Sequence, residues 1–145
     1  MSIRKATIDE LDTLTELFNS YRLFYEQEPD SEGAKSFLKE RLLNEDSVVF
    51  IAYDEGRGVG FVQLYPTFSS VSMKKSWVLN DLYVIASARK KGFGEKLLQK
   101  AIEFAEETGA KGLSLETGED NLTAQRLYEK IGFKKESNYF YYFSL

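Results

Sequence analysis

A cationic turn that contains two glycines is the part of this sequence whose residue types and spacing most directly suggest chemistry. The run Arg89-Lys90-Lys91-Gly92-Phe93-Gly94 stands where a strand pattern gives way to a helix pattern. Glycine lets the backbone approach a ligand closely, and the first amides of a helix have no acceptor within that helix. Because the helix dipole and three cationic side chains add positive charge, the turn predicts a pyrophosphate ligand. A glycine turn with solvated lysines is the alternative.

The residue pattern of this turn does not match two common nucleotide-binding motifs. A Rossmann fingerprint has a further glycine three residues after Gly94, where this chain has Leu97. A P-loop ends in Gly-Lys-Ser/Thr, which is missing here. The turn therefore predicts a pyrophosphate site of another kind.

The absence of cysteine and histidine limits the chemistry further. There is no disulfide framework and no thiolate nucleophile, and Ser-His pairs, Cys-His pairs and the usual Cys- or His-bearing metal centres are excluded. Protons must be moved by Asp, Glu, Tyr, Lys or water. We therefore expect a reaction that needs no metal.

Charge and hydropathy restrict the partners of the chain. With 19 basic and 23 acidic side chains the net charge is −4, which gives no overall attraction to nucleic acid or to an anionic membrane. A basic small molecule fits this balance better. The first residues lack the apolar segment of a signal peptide, and no stretch reaches the ~18 apolar residues of a membrane span, so we expect a cytoplasmic protein.

Hydrophobic periodicity predicts the elements that position the turn. The length of 145 residues and the many aromatic side chains fit one domain, residues 1–145, with a core of its own. Thr7 and Glu10 form a capping-box pattern after a short strand from Ile3, and it begins a helix from about Ile8 to Gln27. The predicted core face of this helix consists of Leu11, Leu14, Leu17, Phe18, Tyr21, Phe24 and Tyr25.

The rest of the chain alternates strand and helix patterns. In its first half we predict a helix from the cap Ser31 to about Leu43, strands at Ser47–Tyr53 and Gly58–Tyr65, a hairpin turn at Asp54–Arg57 and a polar loop at Pro66–Lys75. In its second half we predict strands at Trp77–Val84 and Gly112–Thr117, a helix from about Gly94 to Thr108 that ends at Gly109, and a helix from Asp120 or Asn121 to Gly132. The tail Tyr139–Leu145 is apolar on both faces, as expected of a strand covered on both sides.

The turn and its surroundings resemble the GNAT superfamily of N-acetyltransferases, whose signature is Arg/Gln-x-x-Gly-x-Gly/Ala between a strand and a helix. Arg89, Gly92 and Gly94 match this signature. The segment from Leu127 through Tyr128 to Phe133 resembles the family's Leu-Tyr-x-x-x-Gly-Phe segment. The resemblance covers about residues 77–134 and agrees in element order elsewhere.

This resemblance implies an α/β fold with a mixed, partly parallel sheet of six or seven strands and four helices, in the order β-α-α-β-β-β-α-β-α-β-β. The strand that ends at Val84 and the strand from Gly112 would splay apart, and the pantetheine arm of acetyl-coenzyme A (acetyl-CoA) would enter between them. The residues implied to bind the cofactor are Leu82, Tyr83, Val84, Arg89, Lys90, Lys91, Gly92, Phe93, Gly94, Asn121 and Tyr128.

Catalytic roles follow from the same resemblance. Tyr128 is implied to be the general acid that protonates the leaving thiolate, with a core-facing tyrosine as the alternative. Since a thiol titrates near ~8.5 and a phenol near ~10, the transfer needs help from the site. Asp81 and Glu116 are the candidate bases for the acceptor amine, whereas relatives that acetylate polyamines have Glu-Asp where this chain has Asn80-Asp81.

The acceptor site is implied to lie at the bend between the first two helices. Tyr25, Glu26, Glu28 and Asn80 are its candidate residues, and the acidic run would attract a polyamine or another cationic amine. The alternative is a solvent-exposed loop with no binding role.

The expected function is acetyl transfer from acetyl-CoA to a primary amine, preferably a small amine or polyamine, by direct attack in a ternary complex. Acetylation of an amino acid or a protein lysine and a non-catalytic coenzyme A sensor remain alternatives. Relatives are often homodimers, and the aromatic tail suits either a covered strand or a subunit contact.

Overall fold

The computed structural model describes all 145 residues and has four α-helices around one five-stranded sheet. The elements are β1 Ser2–Lys5, α1 Leu11–Phe24, α2 Ser31–Asn44, β2 Val48–Asp54, β3 Arg57–Ser69, β4 Lys74–Val84, α3 Phe93–Glu107, β5 Leu113–Ser114 and α4 Leu122–Ile131. Strand order follows chain order, and only β4 and β5 are parallel. The predicted mixed α/β fold is confirmed, with five strands instead of six or seven.

Two apolar clusters cover the two faces of this sheet. One face packs against α1 and α2, with Leu14, Leu38 and Phe61 fully buried between the layers. The other face packs against α3, where the predicted stripe around Leu97 and Leu98 is fully buried. No helix combines the length and the apolar character that crossing a membrane requires.

The start of α1 confirms the predicted cap, whereas its end corrects the predicted core face. The Thr7 hydroxyl accepts from the amide of Asp9 at 3.2 Å and donates to Glu10 at 2.9 Å. A 3₁₀ turn at Ile8–Glu10 then leads into α1. At the other end α1 ends at Phe24, and Phe24 and Tyr25 are 57% exposed because their rings pack against the rings of Tyr83 and Tyr21 and not within the core cluster.

Several boundaries differ from the predicted ones. Asp30, not Ser31, caps α2, because its carboxylate accepts from the amide of Gly33 at 2.9 Å. The segment 66–75 is mostly strand, because β3 and β4 pair as far as Ser69 with Lys74 and the predicted loop shrinks to a turn. The predicted hairpin turn at 54–57 is confirmed.

A β-bulge divides β4. Gln63 of β3 pairs with Asp81 and the next residue, Leu64, pairs with Leu79, so that Asn80 is an extra residue. Leu79 therefore faces the α3 side, as does Leu82 three residues later. Asp81 and Tyr83 face the α1 side instead.

The predicted splay between β4 and β5 is present. The strands pair only at Trp77 with Leu113 and Val78 with Ser114, and β5 ends there rather than at Thr117. The stretch of β4 from Leu79 to Val84 has no neighbouring strand on that edge.

The C-terminal part contradicts the prediction of a covered strand. α4 begins at the cap Asn121 and ends at Gly132, as predicted, but none of its residues is buried. The tail from Tyr139 to Leu145 forms no strand, and its large side chains are 73–113% exposed. Apolar residues on both faces indicate that a segment needs cover, and they do not specify which surface provides it.

Candidate active site

The cationic turn ends in an uncapped helix N-terminus. Gly92 has φ +86° and no side chain caps α3. The first backbone bond of the helix runs from the amide of Lys96 to the carbonyl of Gly92 at 3.1 Å, so the amides of residues 93–95 have no acceptor in the protein. Lys90 and Lys91 are exposed and form no ion pair. Free amides, positive charge and exposure make this a site that fits a pyrophosphate.

Phe93 anchors this turn instead of offering its ring to a ligand. The side chain is 3% exposed and belongs to the core cluster under α3. Only the backbone amide of Phe93 is available to a ligand, so the expected role of this residue in cofactor binding is limited to that amide.

Arg89 turns back onto the end of β4. Its Nε donates to the carbonyl of Val84 at 3.0 Å, and its guanidinium lies 5.2 Å from the ring centre of Phe24 and 5.8 Å from that of Tyr83. The positive charge at the turn itself therefore comes from Lys90 and Lys91. Arg89 shows that the rings of Phe24 and Tyr83 form a surface that holds a cation.

The unpaired edge of β4 offers backbone groups to a ligand. Leu82, Tyr83 and Val84 lie on the stretch beyond the last pair with β5. Gly60 of β3 lies against this stretch so closely that an added Cβ would be 2.7 Å from the carbonyl oxygen of Tyr83. The end of β4 is thus fixed on one edge and free on the other.

Tyr128 lies on α4 with its ring half-buried against Phe133, at a centroid distance of 5.9 Å. Burial raises the pKa of the Tyr128 phenol above its ordinary value, and the charge that Tyr25 acquires on ionisation raises it further. The phenol is therefore protonated at neutral pH.

Asn121 and Glu116 occupy more ordinary positions. The Asn121 carbonyl oxygen accepts from the amide of Ala124 at 3.2 Å, which is a helix cap. Glu116 is exposed and follows β5 by two residues, so it lies beyond the end of the strand on which it was expected.

Asp81 is the most completely buried carboxylate of the predicted site, with 5% exposure. It accepts from Gln63 Nε2 at 2.8 Å and from Asn80 Nδ2 at 3.2 Å. Burial raises the pKa of Tyr65 to about 12, and the negative charge of Asp81 adds to this shift. Burial and the same charge also raise the pKa of Tyr21. The two phenols therefore stay neutral beside the carboxylate.

The candidate acceptor residues lie where α1 ends. Tyr25 stacks edge-on against Tyr21 at 5.1 Å and against Phe24 at 5.3 Å. Glu26 has φ +60°, and the carbonyl of Glu28 accepts from Arg22 at 3.0 Å, which fixes the bend. Both acidic residues are exposed.

An aromatic row connects these groups. Tyr21 lies 5.9 Å from Tyr83, and Phe24 lies 6.2 Å from Tyr83 between ring centres. The row runs from Tyr25 through Tyr21 to Tyr83, and Tyr21 lies beside the carboxylate of Asp81.

The sequence did not predict three polar neighbours of Asp81, namely Tyr21, Gln63 and Tyr65. The signal for Gln63 was available, since a fully buried amide interrupts the apolar run of β3. Tyr21 and Tyr65 carry no such signal, because a tyrosine on an apolar face fits a core position equally well.

A groove of about 940 Å³ opens beside α4. It is lined by residues 113–117, by α4 and by residues 133–136, 138 and 140. Glu116 and Tyr128 reach it, whereas Asp81 and the cationic turn do not.

Comparison with known proteins identifies the class. Residues 11–133 match the Acetyltransferase (GNAT) family, and the chain belongs to this family. The family uses acetyl-CoA, and the chain is accordingly an acetyl-CoA-dependent N-acetyltransferase.

Individual relatives agree with this assignment. The chain is 47% identical over 142 residues to the uncharacterized N-acetyltransferase YhfO of Bacillus subtilis (strain 168), which covers 98% of this chain and 95% of that protein. A crystal structure of a probable acetyltransferase has a TM-score of 0.94 and 42% identity over 99% of both chains. A predicted acetyltransferase from Clostridium acetobutylicum, solved with acetyl-CoA, shares the fold, with a TM-score of 0.79 and 15% identity over 97% of this chain and 94% of that one.

Proposed function

We propose that the protein, as one domain of residues 1–145, transfers the acetyl group of acetyl-CoA to a primary amine of a small cationic molecule. A polyamine or diamine is the preferred acceptor. The observation that carries this proposal is the cation-holding surface at the end of α1, where the rings of Phe24 and Tyr83 already contact a guanidinium. Asp81 adds a buried negative charge next to this aromatic row.

The cofactor half of the site would be formed by α3 and the free edge of β4. The unpaired amides of residues 93–95 and the side chains of Lys90 and Lys91 would hold the pyrophosphate. The backbone of Leu82–Val84 would pair with the amides of the pantetheine arm, as an added strand would. The bound cosubstrate supplies an acetyl group already activated as a thioester, so no covalent enzyme intermediate is required.

The relatives support this cofactor assignment through their shared fold. The Clostridium acetobutylicum structure was solved with acetyl-CoA. This chain has a free helix N-terminus at α3 and an unpaired edge of β4 to which the same cosubstrate could bind.

Tyr128 would hold the proton that the departing sulfur needs. Its raised pKa keeps the phenol protonated through neutral and mildly alkaline pH. The same shift makes the proton harder to give up, so the transfer to a thiolate, whose conjugate acid titrates near ~8.5, depends on the negative charge that develops on sulfur. Asn121 would contribute through its free amide NH₂, while its carbonyl oxygen caps α4.

An acceptor amine must lose a proton before it attacks. At pH 7 an amine with pKa ~10.4 is mostly charged, which costs about 4.6 kcal/mol. Asp81 is the better placed of the two candidate bases, because it is buried beside the aromatic row, whereas Glu116 is exposed beyond the end of β5. Since Asp81 is buried, the proton would travel through a water molecule.

Thiol release from acetyl-CoA tests the proposal directly. We expect release with spermidine or a short diamine, and none with neutral amino acids, because only the former carry a second positive charge for the aromatic surface and Asp81. Thermal unfolding with and without acetyl-CoA should show stabilisation of about 2.7 kcal/mol at 100 times the dissociation constant.

Each alternative has its own outcome in the same assay. Release only with amino acids or lysine-containing peptides would reject the polyamine acceptor and keep the transferase. Stabilisation by acetyl-CoA with no release for any amine would favour a sensor. A cytoplasmic location stays a prediction, which cell fractionation would check.

A further inference from the structure

Gln63 is a fully buried amide in the middle of β3, and the buried run Val59–Leu64 has no other polar side chain. It lies on the face of the sheet that α1 covers, as do its neighbour Phe61 and its hydrogen-bond partner Asp81. Burying an amide among apolar side chains costs free energy unless its polar atoms find partners. The partners of these two atoms therefore decide what Gln63 contributes.

The nitrogen of this amide is used within the protein. Gln63 Nε2 donates to Asp81 Oδ2 at 2.8 Å, and Asn80 Nδ2 donates to Asp81 Oδ1 at 3.2 Å. Because an ionised carboxylate can only accept hydrogen bonds, the NH₂ end of Gln63 must face Asp81. Asp81 is thus held at both oxygens, by a residue of β3 and by a residue of its own strand.

The oxygen of the same amide has no partner within the protein. Gln63 Oε1 is buried and accepts no hydrogen bond from a side chain or a backbone group. Since an unsatisfied buried acceptor carries the full desolvation penalty, its donor is expected to come from outside the protein. This donor must be small, because Gln63 is completely buried and Asp81 is only 5% exposed. A water molecule meets this condition, whereas the ammonium end of an acceptor does not.

The surroundings of Gln63 can supply the further hydrogen bonds that a buried water needs. Such a water typically makes about three. A carboxylate offers about four lone-pair positions, of which Gln63 and Asn80 use two on Asp81. Tyr21 lies beside the same carboxylate and stacks against Tyr83 of the aromatic row at 5.9 Å. Gln63, Asp81 and Tyr21 therefore form a polar cluster that is in contact with the aromatic row.

We infer that Gln63 is a positioning residue for the proposed acetyl transfer: its Nε2 holds Asp81 in one orientation, and its Oε1 holds the water through which Asp81 removes a proton from the acceptor amine. The inference rests on the proposed function, in which Asp81 is the base. In this step the charged amine gives one proton to the water, and the water gives one of its own to an oxygen of Asp81. The amine keeps the electron pair that then attacks the acetyl carbon, and Asp81 later returns its proton to solvent.

The role of Gln63 is specific to acceptors that arrive with a charged amine. Proton transfer through a water requires distances of about 2.6–3.2 Å between the water and each of its two partners. Loss of Oε1 removes a fixed partner of the water, and loss of Nε2 releases one oxygen of Asp81. Both losses slow the removal of a proton. Neither affects the attack of an amine that is already neutral.

Two acceptors that differ only in the reacting group test the inference. One is a short diamine, and the other is its aminooxy analogue, in which an O–NH₂ group that is neutral at pH 7 replaces one amino group and the distal ammonium is kept. Gln63→Met keeps the length of the side chain and removes both polar atoms. We expect kcat for the diamine to fall at least about 10-fold and kcat for the aminooxy analogue to stay within about 2-fold of the wild type. Equal losses with both acceptors would indicate a structural role and overturn the inference, as would an unchanged kcat for the diamine.

Val49→Ala is the matched control for this experiment. Val49 lies opposite Gln63 in the pairing of β2 with β3, is 1% exposed and belongs to the apolar cluster on the same face. Its truncation should lower the melting temperature and leave kcat unchanged for both acceptors. A loss of diamine turnover as large as that of Gln63→Met would overturn the inference. Circular dichroism checks that each variant is folded, and Gln63→Asn, which retracts the amide by one methylene, should show the same difference between the two acceptors if Gln63→Met does not fold.

The wild type separates a failure of this inference from a failure of the proposed function. No thiol release by the wild type with any amine would reject the proposed function, and the role of Gln63 with it, whereas release with equal losses in Gln63→Met would reject the role of Gln63 alone. A crystal structure of the free protein gives a readout that does not depend on turnover. We expect a water molecule at about 2.7–3.2 Å from both Gln63 Oε1 and an oxygen of Asp81. Electron density that shows no water at this place would overturn the inference.

Discussion

Gly92 is the position at which the pyrophosphate site can be tested with the cleanest internal control. It precedes α3 with φ +86°, and an added Cβ would meet no atom within 4 Å. Gly109 follows the same helix with φ +69° and an equally open surrounding. The substitutions Gly92→Ala and Gly109→Ala therefore impose the same backbone strain at the two ends of one helix.

The expected loss of stability is the same for both variants. An alanine in the left-handed region costs roughly 1–2 kcal/mol more than glycine. For a domain of this size the melting temperature should fall by roughly 3–8 °C. Lys90 already has φ +64° in the same turn, so the backbone tolerates this conformation and Gly92→Ala should fold.

The two variants should differ in their affinity for acetyl-CoA. Relief of strain at position 92 rotates the peptide planes that present the amides of residues 93–95. Losing one hydrogen bond to a charged phosphate costs about 1.5–3 kcal/mol, a roughly 10- to 100-fold weaker affinity. Gly109→Ala leaves these amides in place, and we expect its affinity to equal that of the wild type.

Isothermal titration with coenzyme A, combined with thermal unfolding of the free proteins, measures both quantities. Weaker binding by Gly92→Ala alone, at equal loss of stability, supports the pyrophosphate site at this helix N-terminus. The reasoning fails if Gly92→Ala binds coenzyme A as tightly as Gly109→Ala does, because the strained turn would then have no part in cofactor binding.

Further expectations concern the catalytic and the acceptor residues. Tyr128→Phe keeps the ring packed on Phe133 but removes the proton, so turnover should fall about 10²-fold or more while coenzyme A affinity stays the same; unchanged turnover would remove Tyr128 from the mechanism. Asp81→Asn should raise the KM for a cationic amine about 10-fold, whereas Asp12→Asn, on the exposed surface of α1, should not; equal KM values would place the acceptor elsewhere. Because the folded-state pKa of Tyr65 is raised from 10.0 to about 12, its contribution to stability is complete below pH 10 and is lost as pH rises toward 12. Urea unfolding between pH 8 and 11.5 should show this loss in the wild type and a smaller one in Tyr65→Phe, and identical pH profiles would contradict it.

The elements that carry strong local signals were predictable from sequence. The helices around Leu14 and Leu97 have periodic apolar faces, and residues 54–57 have a composition typical of a hairpin turn. The uncapped N-terminus of α3 was equally accessible, because its glycines and cationic residues are contiguous in the chain. Local interactions determine these features, and a single sequence records them.

The features that were missed depend on partners distant in sequence. The bulge at Asn80 arises from the pairing of β4 with β3, and the burial of Asp81 depends on Gln63 and on Tyr21 of α1. The aromatic tail looks like a covered strand because its composition specifies burial. The surface that would cover this segment is determined by residues elsewhere in the chain. The apolar pattern of the segment therefore could not show that it does not pair with its own sheet.

The bulge in β4 also bears on how such an enzyme can change its substrate over evolution. Asp81 and Tyr83 face the α1 side, where we propose that the acceptor binds, while Leu82 and Val84 face the α3 side. Replacing either of the first two residues would alter this proposed acceptor surface without changing the face of β4 that packs against α3. Variation in acceptor preference can accumulate on one face of a single strand while the other face, and the use of acetyl-CoA, is inherited unchanged.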